Sequence, residues 1–234
     1  MKKVVILQSN YIPWKGYFDI IHDADLFVFY DDVQYTKNDW RNRNRIRTPD
    51  GTKWLTIDIE SHLTQLICEV KFKIKRWNIK QWETIKQFYG KTPFFKQYRP
   101  FFEELYLVKD YESLSDFNQY TIQQIAGEIL GIKTKFSDSR IYEKNKKRTD
   151  RLIDILMQTG ASAYISGPIA KNYIEKDKFI DAGISLIYKD YTGYPEYPQP
   201  YEGFDHYVTI LDLIFNVGTD APWYIWGWRE RGMD

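Results

Sequence analysis

Apolar and polar positions fall into short, sharply bounded blocks from the first residues onward. Residues 4–7 are a β-branched run too short for an independent helix, so they predict a buried strand. Pro13 closes the turn that follows, and Trp14, Tyr17, Phe18 and Ile21 recur at offsets of three and four, the spacing of one helical face. Residues 26–30 are again continuously apolar and stop abruptly at Asp31-Asp32. Strand, helix, strand, with a second strand apolar on both faces, predicts a parallel βαβ unit.

Residues 53–59 and 67–74 predict two more strands, the second with Cys68, Val70, Phe72 and Ile74 on a buried face and charged residues between them. Residues 77–88, 94–108 and 114–130 read as three successive helices, with Ser113 and Ser115 as candidate caps of the third and Gly131 as its stop. Alternation then resumes with a strand at 133–136, a helix at 148–158 before Gly160, and a strand at 163–166 that ends at Gly167-Pro168. A helix at 175–182 stopped by Gly183 and a strand at 184–188 follow. Residues 193–203 place Pro195, Pro198 and Pro200 among tyrosines and cannot form helix or central strand, and 206–216 is a final helix. The pattern predicts an α/β fold: a mainly parallel sheet flanked by helices, with a helical insert at 77–131, in a single domain spanning 1–234.

A chain of 234 residues can bury a substantial core. Its 33 basic and 32 acidic residues leave a formal charge of +1, which supplies no global field for nucleic acid or an anionic membrane. Aromatic residues make up 18% of the chain, enough that some are expected to leave the core and line a ligand cleft. Cys68 is the sole cysteine, which excludes an intrachain disulfide and a cysteine zinc cluster and suits a reducing compartment. The opening M-K-K-V-V-I-L-Q has only four consecutive apolar residues, and no run reaches the roughly 18–20 needed to span a bilayer, so a soluble cytoplasmic protein is expected.

Ligands of open α/β sheets bind at the carboxyl ends of the strands, and here three such ends carry polar groups: Gln8, Asp31-Asp32 and Ser166-Gly167. Parallel neighbouring strands would bring them together beside the helix start at Trp14, Lys15 and Gly16, where free N–H groups favour an anion. Asp31 and Asp32 point to opposite faces of an extended chain, so one of them at most reaches a given pocket; an Asp pair in this place also serves as a turn or cap. In W-R-N-R-N-R-I-R, an extended backbone sets Arg41, Arg43, Arg45 and Arg47 on one side and Trp40, Asn42 and Asn44 on the other. Such a row grips phosphate groups, or it is a solvated strand face. Asp212 and Asn216 lie one helical turn apart and could share a ligand or bond a neighbouring loop. His22, His62 and His206 lack metal-ligand spacing, so no metal site is expected. I-S-G-P at Ser166 is not the G-x-S-x-G elbow, and Walker and G-x-G-x-x-G loops are absent, so the residues name no cofactor. The tyrosine-proline loop, with Trp223, Tyr224, Trp226 and Trp228, could stack sugar rings or cover a sheet edge.

The motifs Q-S-N-Y-I-P-W-K-G-Y-F at 8–18, D-D-V-Q-Y at 31–35, W-R-N-R-N-R-I at 40–46, K-W-L-T at 53–56, Y-I-S-G-P at 164–168 and I-L-D-L-I-F-N-V-G at 210–218 resemble the WbqC-like family of bacterial proteins. Asn10 departs from the proline usual there. The resemblance implies a place in surface-polysaccharide, particularly O-antigen and lipopolysaccharide, gene clusters. It suggests a transferase that modifies an amino sugar, free or nucleotide-linked, with an acyl or aminoacyl donor. On that reading Lys15 and the arginines hold phosphates, Asp31 or Asp32 binds or deprotonates the acceptor, and Tyr11, Trp14 and Tyr17 pack on the sugar or donor. Gln8, Gly16, Gln34, Trp40 and Asn44 extend the set, with Ser166, Lys171, Asp212 and Asn216 from the later motifs. The implied partner is a small sugar or nucleotide-sugar ligand rather than nucleic acid, without a membrane span, and a homo-oligomer is compatible. Two alternatives stand beside it: a non-catalytic glycan- or nucleotide-sugar-binding module, and a nucleotidyl-transfer or adenylate-forming enzyme. The second lacks the H-x-G-H signature, with Trp14-Lys15-Gly16-Tyr17 in the comparable turn.

Overall fold

The computed structural model describes residues 1–62, 64–144 and 146–232. The chain opens with β1 (Lys3–Leu7), α1 (Lys15–His22) and β2 (Leu26–Phe29), continues through the hairpin of β3 (Arg43–Thr48) and β4 (Gly51–Thr56), and adds the two-residue strands β5 (Ile59–Glu60) and β6 (Lys71–Phe72). Helices α2 (Trp77–Tyr89), α3 (Phe95–Glu103) and α4 (Leu114–Gln124) precede β7 (Lys135–Asp138), α5 (Arg148–Gln158) and β8 (Ala163–Ser166). The chain then forms α6 (Lys176–Asp181), β9 (Ser185–Tyr188), α7 (Ile210–Val217) and α8 (Ala221–Ile225). Ser113 caps α4 by accepting from the Asp116 N–H.

Five strands build one parallel sheet in the order β7-β2-β1-β8-β9. Side-chain alternation splits each apolar strand between two cores. Val5, Phe27, Phe29 and Ile165 face α1 and the helices of 77–124, together with Phe18, Trp82 and Phe117. Val4, Ile6, Val28 and Tyr164 face the other way, onto Ile155 and Leu156 of α5 and Phe179 of α6. A sheet covered on both faces explains why these strands read as continuous apolar runs. The eight residues of α1 would not hold a helix alone; burial of Tyr17, Phe18, Ile20 and Ile21 holds it.

Four segments differ from the sequence pattern. The predicted strand at 53–59 is broken into β4 and the separate two-residue β5. Residues 67–74 are not one strand: Ile67–Glu69 form a 3₁₀ turn before β6, which buries Ile67 and Val70 while Ile74 stays 46% exposed and Cys68 only half-buried. Tertiary hydrogen bonds override the period of two, since the Ile67 N–H donates to Val33 O and the Cys68 N–H to Asp31 O. The edge strand β7 sits at 135–138, two residues beyond the predicted 133–136, where it pairs with β2. Helix α7 starts at Ile210, four residues later than the apolar pattern suggests, because Thr209 caps it and its own N–H is held by Arg45 O.

From β1 the chain builds toward one edge, through β2 to β7, then returns across the sheet to β8 and β9. The order therefore reverses between β1 and β8, and the crevice beyond their carboxyl ends is where open α/β sheets take ligands.

Candidate ligand-binding site

A cleft of about 1600 Å³ occupies that crevice. Its floor is Leu7 and Gln8 at the carboxyl end of β1, Ser166 and Gly167 at that of β8, and the segment Tyr188 to Thr192 at that of β9. Trp14, Tyr30, Tyr173 and Tyr207 complete an aromatic wall, and Arg148 and Lys171 bring cations. Common pockets for small ligands measure roughly 300–1,000 Å³, so this space exceeds a single sugar. A smaller cavity of about 470 Å³ between α6 and β9 is lined mainly by Phe179, Ile180, Ile184 and Leu186, with Lys176, Ser185 and Tyr188.

The turn after β1 is shaped for the cleft. Ile12 has φ of 36°, an uncommon conformation for a β-branched residue. Three hydrogen bonds hold it: Asn44 Nδ2 donates to the carbonyls of Tyr11 (3.1 Å) and Ile12 (2.6 Å), and Thr209 Oγ1 donates to Ile12 O (2.8 Å). Trp14 then folds its indole over Gly16, where a Cβ would lie 2.3 Å from the ring, so only glycine lets Trp14 lie there. Tyr191 and Tyr207 pack on that indole at 5.2 and 5.3 Å between ring centroids. At the floor, Tyr17 donates to Gln8 O (2.9 Å), and Arg41 reaches Gln8 Oε1 at 3.3 Å and also Asn10 Oδ1.

Lys15 and Asp212 lie behind this wall, outside the cleft lining. Lys15, 2% exposed, sits among the rings of Tyr194, Tyr197 and Phe204 at 4.9–5.9 Å, and its Nζ donates to Pro195 O at 3.4 Å. Burial lowers its pKa to about 8, against the pull of Asp212 and Glu196. Asp212 is fully buried; its Oδ1 accepts from Tyr197 and Gln199, and Tyr89 also hydrogen-bonds its carboxylate. Burial pushes its pKa up to about 6, with those hydrogen bonds opposing. Asn216 donates to Asp212 O one helical turn away. Tyr11 is also interior, its hydroxyl bonded to Tyr106 and Gln81.

Asp31 and Asp32 are buried on opposite sides of the chain, and neither lines the cleft. Asp31 accepts from the Ser9 N–H (2.8 Å), Ser115 Oγ and Gln119 Nε2 (3.0 Å), tying the β1 turn to α4. Asp32 accepts from Ser139 Oγ and lies 3.2 Å from Lys144 and 3.8 Å from Arg151. The arginines do not form one free row. Arg43, Arg45 and Arg47 alternate along β3, but Arg47 is buried against the carbonyls of 201–203, Arg45 donates to Tyr207 O (3.1 Å) and pairs with Asp205, and Arg43 stacks on Trp54. Trp40 packs on Trp54, and Gln34 bridges to Leu66.

Of the candidate residues, Gln8, Trp14, Ser166 and Lys171 line the cleft, and Tyr17 and Arg41 adjoin it through Gln8. Sequence reasoning missed Arg148, Tyr188, Asp190 and Tyr191. The strand-end rule could have found the last three, since 184–188 was itself a predicted strand whose end went unread. It could not have found Asp19, a fully buried carboxylate on α1 that receives Lys189 Nζ at 2.8 Å, both terminal nitrogens of Arg229 at 2.9–3.0 Å, and Tyr194 OH. That knot fastens the β9 end of the cleft and the C-terminal segment to α1.

The molecule is thus a doubly wound α/β protein with an aromatic-walled cleft at its switch point. The chain belongs to the WbqC-like protein family, which it matches over residues 8–224. An uncharacterized protein of Mycobacterium tuberculosis, Rv1507c, is 40% identical over 227 residues, covering 96% of this chain and 98% of the relative. No solved structure matches the chain. Among the described residues, no His/Cys/Asp/Glu cluster could hold a metal ion, and no helix is long and apolar enough to cross a membrane.

Proposed function

We propose that the protein is a transferase that modifies an amino sugar, free or nucleotide-linked, in bacterial surface-polysaccharide synthesis, with the sugar bound in the switch-point cleft. The supporting observation is the cleft's composition. Trp14, Tyr191 and Tyr207 offer ring faces for a sugar or base, while Arg148 and Lys171 offer charge to a phosphate. Asp190 is held ionised by hydrogen bonds from Thr192, which lower its pKa, so it can accept from a sugar hydroxyl or an ammonium. Asp31 and Asp32 act on this reading as positioning residues: Asp31 fixes the Ser9 turn below Gln8, and Asp32 ties β2 to α5 through Arg151.

The test is a panel of nucleotide-linked amino sugars offered with acyl and aminoacyl donors, with product followed by mass spectrometry. Turnover that is lost in Trp14→Ala and retained, per folded molecule, in Asp31→Asn and Asp32→Asn is expected. Failure of wild type to bind or convert any member, or binding indifferent to Trp14→Ala, refutes the reading. One observation favours a second reading: the strand order matches 3-2-1-4-5, the order of doubly wound nucleotide-binding sheets. Pyrophosphate release from a nucleoside triphosphate would select nucleotidyl transfer instead.

A further inference from the structure

The β3–β4 hairpin leaves two tryptophans side by side in solvent. Trp40 is 41% and Trp54 is 43% exposed, with ring centroids 5.3 Å apart and planes inclined at 48°. Burying such rings on a partner is favourable, so the neighbouring pair is a candidate contact surface. The pair is also ordered in advance. The Arg43 guanidinium lies 4.1 Å over Trp54, and one of its terminal nitrogens donates to Asn38 O. Ring faces beside a guanidinium charge suit a sugar ring that carries a carboxylate or phosphate.

This surface continues the cleft. Arg45 stands directly across from Trp54 in the hairpin register, so the two side chains share a face. Arg45 Nε donates to Tyr207 O at 3.1 Å, and Tyr207 both lines the cleft and packs on Trp14. At the other end of the hairpin, Arg41 follows Trp40 and bonds Gln8 on the cleft floor. Contacts therefore link Trp14 through Tyr207 to Arg45, whose cross-strand neighbour Trp54 carries Arg43 and Trp40.

We propose that the hairpin is a second saccharide subsite, so that the molecule accepts an extended anionic oligosaccharide whose terminal sugar enters the cleft. This rests on the cleft taking a sugar. Its distinct content is that affinity grows with chain length through Trp54 and with anionic charge through Arg43.

Calorimetry with oligogalacturonides of one to six residues, and with the matching neutral malto-oligosaccharides, tests both parts. Affinity in the anionic series is expected to rise about tenfold or more between monomer and tetramer, the gain of roughly one stacked ring. Trp54→Ala removes the rise and leaves monomer affinity unchanged, and its exposed position predicts an unaltered melting temperature. Arg43→Met brings the anionic series down to the neutral one. Monomer binding without any length dependence overturns the subsite and leaves the cleft reading intact. An equal rise in the neutral series overturns the anionic preference. Absence of binding at every length overturns the subsite; the cleft reading is tested separately by the nucleotide-linked amino sugars. A Trp54→Ala variant that changes the sedimentation coefficient but not saccharide affinity assigns the pair to a contact between two copies and overturns the proposal.

Discussion

Asp19→Asn tests the knot that fastens the cleft. The substitution keeps the side-chain shape but replaces a buried carboxylate that accepts from Lys189, Arg229 and Tyr194 with a neutral amide. Removing one partner of a buried ion pair costs about 3–5 kcal/mol, because the remaining charges stay buried without compensation. Two features place this case at the low end. Lys189 keeps Asp23 at 2.6 Å, and Arg229 is 31% exposed and can reach water. A loss of about 3 kcal/mol lowers the midpoint of a chain this long by roughly 6–12 °C. Arg229→Met is milder, about 1 kcal/mol, because Asp19 retains Lys189 and Tyr194 and the arginine's exposed charge is already screened. Thermal unfolding of the three proteins side by side is the assay, with ligand affinity of each folded protein measured below its transition. Asp19→Asn is expected to weaken ligand binding as well, since Tyr191 and Tyr194 flank the lost anchor. A melting temperature within 2 °C of wild type would refute the account, as would equal effects of Asp19→Asn and Arg229→Met.

Two other predictions concern charge and space. Asp212 binds its proton more tightly folded than unfolded, so wild-type stability falls as pH rises from the ordinary 3.8 toward about 6. Asp212→Asn has no such fall, and its stability relative to wild type should improve by up to about 3 kcal/mol across that window in urea titrations. Lys15 behaves in the mirror sense. Its folded pKa of about 8 lies below the ordinary 10.5, so wild type gains stability between those values and Lys15→Met does not. A stability difference independent of pH in both windows would sink this reading of the buried pair. Gly16→Ala puts a methyl where the Trp14 indole lies, at a cost of about 1–3 kcal/mol. It should also displace Trp14 from the cleft wall, seen as a shift in tryptophan emission and loss of ligand affinity; unchanged emission and affinity would show that the indole has room to spare.

The local signals in the chain decided much of the architecture. The runs at 4–7 and 26–30, the helical spacing of Trp14 to Ile21 and the strand at 163–166 depend on neighbours within a few residues, so periodicity exposes them, and the α/β class follows. The same reasoning located Gln8, Trp14 and Ser166, because strand ends are visible in sequence. It failed at 67–74, where backbone bonds to Val33 and Asp31 replaced a strand that alternation alone would favour. Strand order, and with it the switch point and the cleft, came only from tertiary structure, since no local pattern says that β1 lies between β2 and β8. The electrostatic partners were hidden for the same reason. Asp19 and Lys189 stand 170 residues apart, and Arg45 and Tyr207 162 apart. Whether an arginine is free for a ligand or spent on the protein depends on which distant carbonyl or carboxylate the fold brings beside it; the residue's identity sets only what it can bind.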